Sequence, residues 1–355
     1  MTIPIQNVYF LLAYAWGAIE ESNLIDVDTD DFKTHPELLA GVLESGVTHL
    51  LKQGLDRSYI EEELDTAIPR GKIDLTQTLK RSLLAKGKVQ CSVDTLSHNV
   101  PQNQVIRATL VALSQTSELN RQQRRRLLEL SNELEDVSLI TLRRSHFRKV
   151  VIHRNNRIYS FLINTCQLIF DCLQPHEDGG TLRFRDFIRD ERKMATLFER
   201  FVRSFLDREQ QSFTVSAPWI KWKNLVASPA AIVHLPRMET DIVLTGSARK
   251  IVIDTKFYKS ALRKSKRSGP PKVRSDHLYQ LYSYLGNIPA LPGVELEGIL
   301  LYPTVSRSID LEYMFDGRRI RICTVDLADD WRAIRHRLLQ MIEANAGQSA
   351  PSSHP

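Results

Sequence analysis

The sequence predicts a two-domain protein that combines α-helices with β-strands, and three observations support this class. The 355 residues exceed the ~100–200 residues of an ordinary domain. Hydrophobic residues make up 42% of the chain and charged residues 25%, which is typical of a globular protein with a buried core. Helical and extended hydrophobic patterns occur throughout, but their arrangement changes near residue 150. We therefore expect an α+β domain over residues 1–150 and an α/β domain over residues 151–345.

The first half carries the patterns of several helices and three short strands. Hydrophobic periodicity predicts helices over residues 8–19, 36–53 and at least twice across 101–134. Extended runs predict strands over residues 59–68, 72–75 and 88–96. Asn7 is a favourable N-cap for the first helix, and Gly54 is the usual kind of residue to end the second. This order of elements indicates a mixed α+β domain.

The second half alternates long apolar helices with short apolar strands. Helices are predicted over residues 159–173, 194–206 and 276–285. Strands are predicted over residues 242–244, 250–257 and 298–302. The helix over 194–206 repeats apolar residues at i, i+3 and i+4, the pattern of a helix packed on a core. We expect an α/β core around a central mixed sheet, followed by a small, polar, disordered tail over residues 346–355.

Composition and charge narrow the class of protein further. No window approaches the ~18 apolar residues of a membrane span, and the N-terminus lacks the features of a secretory signal. The four cysteines show no metal-ligand spacing, which together with these absences favours a reduced cytoplasm and no membrane partner. The net charge of +6 favours a polyanionic partner.

A basic segment lies within the second half. Between residues 256 and 274 there are eight Lys or Arg residues and no acidic residue, and Gly269-Pro270-Pro271 interrupts regular structure. The segment is compatible with a solvated linker or with a DNA-binding loop, and the acidic site described next favours DNA. The candidate DNA-binding residues are Lys259, Arg263, Lys264, Lys266, Arg267, Lys272 and Arg274.

Two aspartates and a lysine occupy a predicted hairpin. Asp241 precedes the run Ile242-Val243-Leu244, a turn follows at Gly246-Ser247, and the next run ends in Asp254-Thr255-Lys256. Because side chains alternate across a strand, Asp254 and Lys256 share one face, whereas Thr255 points the other way. Charged side chains on a strand flanked by Ile and Val are costly unless they have partners.

A divalent cation explains this arrangement. Mg²⁺ binds oxygen ligands, typically one or two carboxylates together with water and phosphate oxygens. Asp241 and Asp254 are the candidate metal ligands, with the backbone carbonyl of Thr255 as a further ligand, and Lys256 is placed to orient the nucleophile or stabilise developing charge. The pattern predicts a Mg²⁺-dependent DNA-cleaving site of the PD-(D/E)xK type. The alternative is a surface hairpin with an Asp–Lys cross-strand pair.

Three further residues are candidates for accessory roles. Glu199 lies on the helix before the hairpin, where nucleases of this type often carry an extra acidic group. Gln280 and Tyr284 lie at i, i+4 on the following helix and therefore share one face. This Q-x-x-x-Y spacing resembles the helix beside the metal site of RecB-like nucleases. The alternative is a half-buried helix face without a role in chemistry.

Several runs spread over nearly the whole sequence form a specific pattern. They are residues 5–17, 70–74, 94–96 and 183–187, together with Leu235-Pro236-Arg237-Met238-Glu239-Thr240-Asp241 and Asp254-Thr255-Lys256-Phe257-Tyr258-Lys259. The most specific motif is the L-P-R-M-E-T-D run followed by D-x-K-F-Y-K. With these runs the sequence resembles the McrC family, the nuclease subunits of McrBC 5-methylcytosine-specific restriction systems.

The resemblance implies both a chemistry and a partner. It implies a restriction-endonuclease-like second domain in which Asp241, Asp254 and Lys256 cleave double-stranded DNA with Mg²⁺, and Glu199 is accessory. It also implies that the first domain docks onto a hexameric AAA+ GTPase like McrB, enters its central pore and stimulates GTP hydrolysis. The chain has no G-x-x-x-x-G-K-[ST] phosphate loop, so GTP is expected on the partner and not here.

Two other functions are compatible with the pattern. The first is a non-catalytic adaptor that activates a GTPase and tethers it to DNA, with a degenerate D-x-K site. The intact set of Asp241, Asp254 and Lys256 argues against it. The second is a stand-alone RecB-like repair nuclease, which would leave the first 150 residues without a purpose. A subunit of a type IV restriction enzyme is therefore the expected function.

Overall fold

A computed structural model describes residues 3–17, 32–152, 156–175, 182–258, 262–263, 272–289, 291–304 and 308–343. The described residues form two compact units. We call residues 32–185 the insert unit and residues 3–17 with 186–343 the site unit. The first helix of the chain, α1 (Ile5–Ala15), belongs to the site unit. In sequence, the insert unit therefore interrupts the site unit.

The insert unit contains six described helices and a small antiparallel sheet. Its first helix begins with a capping box, in which Thr34 and Glu37 satisfy each other's backbone N–H groups, and ends at Gly54. The helices are α2 (His35–Gln53), α3 (Leu75–Lys80), α4 (Pro101–Ser114), α5 (Arg121–Glu133), α6 (Arg144–Lys149) and α7 (Arg157–Cys172). The strands are β1 (Ser58–Thr66), β2 (Lys72–Ile73), β3 (Val89–Ser97), β4 (Leu173–Pro175) and β5 (Leu182–Phe184).

The three-stranded sheet of the insert unit has the order β1-β3-β2, and all of its pairings are antiparallel. Much of it lies open to solvent. Tyr59 and Leu96 are directly paired across β1 and β3, and they are 73% and 48% exposed. Leu64 and Ile73 are exposed as well. The core of the unit instead lies between helices, where α4 packs against α5 and α7.

The site unit contains four described helices after α1 and a larger mixed sheet. The helices are α8 (Glu191–Glu209), α9 (Pro229–Ile232), α10 (Ser275–Asn287) and α11 (Trp331–Glu343). The strands are β6 (Thr214–Ser216), β7 (Trp219–Ile220), β8 (Met238–Glu239), β9 (Ile242–Thr245), β10 (Arg249–Thr255), β11 (Leu262–Arg263), β12 (Lys272–Val273), β13 (Glu295–Thr304), β14 (Asp310–Phe315) and β15 (Arg318–Asp326).

Six of these strands form the central sheet, in the order β14-β15-β13-β10-β9-β6. The three inner strands β15, β13 and β10 are parallel, and each flank adds antiparallel strands. Parallel strands are usually buried on both faces because crossover helices cover them. Five of the seven residues of β10 are buried, in agreement with this rule. The predicted mixed α+β class with a central mixed sheet is confirmed.

Helices cover both faces of the central sheet. On one face, α10 packs on Val252, Leu300 and Ile322. Gly298 of β13 permits this contact, because a Cβ atom there would lie only 2.9 Å from a methyl carbon of Leu285. On the other face, α1, α8 and α11 meet through aromatic rings, and Arg321, which alternates with Ile322, donates a hydrogen bond to the Met341 carbonyl of α11.

Several predicted elements differ from the observed ones. The compact units separate at residue 185/186 and not at 150/151, and α1 lies in the unit that also holds residues 186–343. Asn7 does not cap α1, which begins at Ile5 after Pro4. Its amide instead donates to the carbonyls of Leu327 and Asp329, at 2.8 and 2.9 Å. A long-range contact therefore overrides the local capping preference.

Other differences concern the length and number of elements. The predicted strand over residues 72–75 is only two residues long, because Asp74 accepts a hydrogen bond from the Gln77 N–H and starts a helix at Leu75. The strands over 310–326 and the helix over 331–343 were not predicted. The tail over 346–355 lies outside the described residues.

Candidate active site

The hairpin of β9 and β10 brings Asp241 beside the end of β10. Ile253 pairs with Ile242 in the antiparallel register, so Asp241 and Asp254 come next in line on the two strands. The Gly246 N–H donates to the Arg249 carbonyl at 2.9 Å and closes the predicted turn. The register therefore fixes which acidic residues of the two strands meet.

Asp254 and Lys256 form a buried ion pair on the face of β10 that α10 covers. The Lys256 ammonium lies 2.8 Å from an Asp254 carboxylate oxygen, and the two side chains are 17% and 1% exposed. The Lys256 N–H donates to the Leu301 carbonyl at 2.9 Å, which holds the strand end against β13. Within the described residues, neither Asp254 oxygen accepts a hydrogen bond of good geometry. The carboxylate thus retains coordination capacity toward a cation.

Asp241 is tied to β10 through Thr255. One Asp241 oxygen accepts hydrogen bonds from the Thr255 N–H at 2.7 Å and the Thr255 hydroxyl at 2.8 Å. The sequence analysis placed the Thr255 side chain on the opposite face of the strand from Asp254 and Lys256, and its hydroxyl contacts the site through Asp241. Asp241 precedes the first paired residue of β9, so its carboxylate is not held to either face by strand alternation and reaches the Thr255 side. The site therefore contains side chains from both faces of the end of β10.

Glu199 reaches the same region from α8. Its carboxylate is about one-third exposed and lies 3.2 Å from the Arg203 guanidinium one helical turn later. The same Arg203 nitrogen also donates to the Asp241 carbonyl at 3.4 Å. Arg203 is a site neighbour that the sequence analysis missed. The sequence does contain a signal for Arg203, because it lies four residues after Glu199 and therefore on the same face of the helix.

Burial and mutual repulsion alter the ionisation of these groups. Burial raises the pKa of Asp254 to about 6, Lys256 opposes the rise, and the charges of Asp241 and Glu199 add to it. Burial also raises the pKa of Glu199, with a further contribution from Asp241. Burial of Lys256 disfavours its charge, but attraction to Asp254 outweighs this and keeps its pKa above the ordinary value. Lys256 is therefore a stable cation beside a carboxylate that titrates near pH 6.

Gln280 and Tyr284 of α10 share one face, as predicted, and contact the segment that leads to Asp241. The Gln280 amide donates to the Tyr284 hydroxyl at 2.7 Å, and that hydroxyl donates to the Glu239 carbonyl at 2.8 Å. Tyr284 is buried, whereas Gln280 is partly exposed. Gln280 and Tyr284 therefore hold the backbone at Glu239, two residues before Asp241.

A second polar group of α10 was missed by the sequence analysis. His277 is buried, and its Nδ1 lies 2.8 Å from the hydroxyl of Tyr302 on β13. Its ring packs on Tyr258, whose other neighbour is the Arg274 guanidinium at 4.3 Å. Burial lowers the pKa of His277. No sequence motif marked this cluster, because its members come from three separate segments.

The basic segment is only partly described. Arg263 and Lys272 are paired in the two-stranded ribbon of β11 and β12. Lys272 is exposed, and Arg274 is half-buried against Tyr258. The candidates Lys259, Lys264, Lys266 and Arg267 lie outside the described residues. The structure therefore places part of the candidate DNA-binding segment immediately before α10.

The donor set suits a hard cation that keeps several water ligands. The described residues contain no group of three or more His, Cys, Asp or Glu side chains that could hold a metal by themselves. Mg²⁺ does not require such a group, because it commonly binds through one or two carboxylates with water and phosphate. Both oxygens of Asp254 are buried, and among the described residues their close polar partner is the Lys256 ammonium. Asp241 lies close enough to raise the pKa of Asp254. These residues fit the predicted Mg²⁺.

These observations define the class of this protein. It is a two-unit α+β protein with a mixed central sheet. A charged site lies at the end of adjacent strands of this sheet, where a buried acid–lysine pair has further carboxylates beside it. The chain belongs to the family described as McrBC 5-methylcytosine restriction system component, whose sequence profile matches residues 7–303. The resemblance noted from the sequence motifs is confirmed.

Two known proteins illustrate this relationship. The chain is 32% identical over 341 residues to the type IV methyl-directed restriction enzyme EcoKMcrBC of Escherichia coli strain K12, covering 96% of this chain and 97% of that protein. Its fold is similar, with a TM-score of 0.56 and 18% identity, to a chain in a refined half-complex from a tetradecameric assembly of Thermococcus gammatolerans McrB AAA+ hexamers with bound McrC. That match covers 96% of this chain and 76% of the solved chain. None of the helices in the described ranges is long and apolar enough to cross a membrane.

Proposed function

We propose that this chain is the DNA-cleaving subunit of a modification-dependent restriction complex, with a Mg²⁺-dependent site of the PD-(D/E)xK type. The observation that carries the proposal is the buried pair of Asp254 and Lys256 at the end of β10, with Asp241 beside it. A buried carboxylate whose polar contact is a single lysine is costly in a purely structural role. The membership of the chain in the McrBC family supports a restriction function.

Each residue of the site has a separate role in this proposal. Asp241 and Asp254 hold Mg²⁺, with the carbonyl of Thr255 as a further ligand. When bound, Mg²⁺ supplies Lewis-acid polarisation of the scissile phosphate and lowers the pKa of a coordinated water. Lys256 remains charged and contacts the phosphate or the attacking water, where a fixed cation stabilises developing negative charge.

The accessory residues hold this set in place. Arg203 links Glu199 to the Asp241 backbone, and Tyr284 supports the backbone at Glu239. Glu199 adds negative charge near the cation but is not one of its proposed ligands. Loss of Glu199 is therefore expected to lower cleavage less than loss of Asp254. Gln280, on the same helix face and partly exposed, is placed to contact DNA.

The insert unit is proposed to dock onto an AAA+ GTPase hexamer like McrB and to stimulate its GTP hydrolysis. Support comes from the solved assembly of similar fold, in which McrC is bound to McrB AAA+ hexamers. The exposed apolar residues of the β1-β3-β2 sheet supply a contact surface. GTP and the reading of 5-methylcytosine then belong to the partner, and double-stranded DNA is cleaved by this chain.

The decisive experiment is plasmid cleavage by the full chain mixed with its AAA+ partner, Mg²⁺ and GTP. Cytosine-methylated and unmethylated plasmids are compared, with Asp254→Ala as the test variant. Asp207→Ala on the exposed side of α8 is the matched control, because it removes the same charge outside the site. We expect methylation-dependent cleavage that only Asp254→Ala abolishes. A complex that hydrolyses GTP without cutting either plasmid would instead favour the adaptor function.

A further inference from the structure

A cleft lined by tryptophan and lysine lies on the site unit, away from the acidic residues. Its volume is about 410 Å³, within the ~300–1,000 Å³ of pockets that hold small ligands. The segment Trp219–Lys223 forms one wall, and Lys250 of β10 and the residues just after α10 complete it. The described lining contains three lysines and no acidic residue. The proposed cleavage reaction uses none of these residues.

The two tryptophans present apolar surface in a fixed arrangement. Trp219 is 60% exposed, and the Arg237 guanidinium lies over its ring at 4.3 Å. Trp222 is held by a hydrogen bond from its indole N–H to the Pro236 carbonyl at 2.9 Å, and it packs against the core beneath α10. An exposed aromatic ring supported on one side by a cation is a typical surface for stacking a planar ligand.

The lysines add positive charge around this apolar surface. Lys221 and Lys223 are exposed, and Lys250 is half-buried. None of the three ammonium groups forms an ion pair with a described residue. The Lys223 N–H donates to the Asn287 side-chain carbonyl at 2.7 Å, so the backbone that carries these lysines is anchored to the end of α10. The combination of stacking surface and unpaired cations matches the chemistry of a nucleotide.

The cleft lies on the same face of the sheet as the proposed cleavage site. Lys250, Val252 and Asp254 are every second residue of β10 and therefore lie on one face of the strand. Val243, which lines the cleft, pairs with Val252. Four residues of a strand span roughly 13 Å, so Lys250 and Asp254 are about that far apart along β10. One DNA strand is long enough to reach both.

From these observations we infer that the cleft is a binding subsite for an unpaired nucleotide of DNA. This inference rests on the proposed function, because the cleft supplies a second contact for the DNA that is cut. The base stacks on Trp219 beside Trp222, and Lys221, Lys223 and Lys250 contact the neighbouring phosphates. The nucleotide must be unpaired, because in a duplex both faces of each base are covered by its neighbours.

The test measures binding of a fluorescently labelled oligothymidylate and of a labelled duplex to the full chain, by anisotropy in chelator without Mg²⁺. We expect Trp219→Ala to weaken binding of the single strand by about fivefold or more, since loss of one base–aromatic stack has an effect of this size. Trp219→Phe should retain most of the affinity, and duplex binding should change less in both variants.

The lysines are tested in the same assay with a matched charge control. Lys221→Gln/Lys223→Gln should lower single-strand affinity and reduce the slope of log affinity against log salt by roughly 1.4, at about 0.7 per phosphate contact. Lys86→Gln/Lys88→Gln removes two exposed lysines of the same spacing from the insert unit and should change neither quantity.

The outcomes of these binding experiments can be distinguished from the outcome of the cleavage experiment. If Trp219→Ala and the double lysine variant bind the single strand as the unchanged protein does, the subsite is overturned, even if Asp254→Ala abolishes cleavage. If Trp219→Ala weakens single-strand and duplex binding equally, the cleft is not selective for an unpaired base, and the inference also fails. Because the assay needs neither metal nor cutting, its result is obtained separately from that of the cleavage experiment.

Discussion

The six-stranded sheet of the site unit and the three-stranded sheet of the insert unit differ in strand pairing and in burial. In the site unit, β10 is buried along five of its seven residues, and helices cover both faces of the sheet. In the insert unit, none of the nine residues of β1 is fully buried. The inner strands β10, β13 and β15 of the first sheet bury most of their side chains, whereas β1 of the second sheet exposes most of its side chains.

This difference determines what charged residues do in each sheet. Asp65 of β1 pairs with Arg81 at 2.6 Å on an exposed surface, where water screens both charges. Asp254 and Glu297 are carboxylates on buried strands, and each depends on a neighbouring cation. Burial raises the pKa of Asp254 toward neutrality, and a buried carboxylate needs a compensating cation. Chemistry is therefore expected from the first sheet and contact from the second.

The largest expected effect comes from removing the cation of the buried pair. Lys256→Ala should lower DNA cleavage by at least about 100-fold, because it removes the charge closest to the reacting phosphate. Stimulation of the partner's GTP hydrolysis should remain unchanged, since that activity is assigned to the insert unit. Cleavage and GTP hydrolysis are measured in the same reaction. A parallel loss of both activities would contradict the division between the two sheets.

The next prediction compares one ion pair from each sheet. Glu297 is fully buried and accepts hydrogen bonds from the Arg249 guanidinium. Glu297→Gln should lower the free energy of unfolding by about 3 kcal/mol, because it leaves buried positive charge without its counterion. Asp65→Asn in the exposed pair should cost less than about 1 kcal/mol. Urea denaturation of both variants measures the contrast, and equal losses would show that burial does not separate the two sheets.

A smaller effect is expected at the exposed sheet. Tyr59 and Leu96 form a cross-strand pair that projects into solvent. Tyr59→Ala/Leu96→Ala should weaken binding to the AAA+ partner by about tenfold, typical of a contact centred on an exposed aromatic residue, and leave folding nearly unchanged. Leu128→Ala is the control, because Leu128 is similarly exposed on α5 of the same unit. Affinity is measured by titration of labelled partner, and a control that weakens binding equally would remove the sheet from the interface.

The smallest expected effect is a pH-dependent stabilisation by Mg²⁺. Metal binding requires ionised carboxylates, and the pKa of Asp254 is raised to about 6. Mg²⁺ should therefore raise the melting temperature by a few degrees at pH 8 and hardly at all at pH 5. Asp254→Asn should abolish the shift, while Asp65→Asn should preserve it. A Mg²⁺ shift of equal size at both pH values would place the metal elsewhere.

The sign of the metal-free pH dependence follows from the same pKa. The folded state binds the Asp254 proton more tightly than the unfolded state does. Without Mg²⁺, this group therefore makes the fold less stable as pH rises from the ordinary carboxyl range to about 6, and adds no further change above it. Comparison with Asp254→Asn, which cannot titrate there, isolates this contribution.

Local patterns were sufficient to predict the hairpin of the candidate site. The alternation of a strand placed Asp254 and Lys256 together, and the i, i+4 spacing placed Gln280 and Tyr284 on one face. These relations lie within one strand or one helix. The contact between the Thr255 hydroxyl and Asp241 could not be predicted, because the course of Asp241 before β9 depends on tertiary contacts.

Relations between distant segments could not be predicted in this way. His277 and Tyr302 meet across 25 residues, and no periodicity links them. The position of α1 was missed because the sequence suggested a local capping role for Asn7, whereas its side chain instead contacts Leu327. The central sheet was underestimated because β15 is recognisable mainly through its pairing with β13, and β14 through its pairing with β15. Pairing between distant strands is set by the whole fold and not by a short window.

The contact of α1 with residues 327 and 329 also has a consequence for the order of synthesis. Asn7 and Leu327 are 320 residues apart in the chain. At roughly 5–20 residues per second, the carbonyls that Asn7 binds emerge about 15 seconds or more after α1. The insert unit, whose residues are contiguous in the chain, is complete long before that. The ribosome thus delivers the proposed partner-binding unit first, and the unit that carries the candidate cleavage residues is completed last.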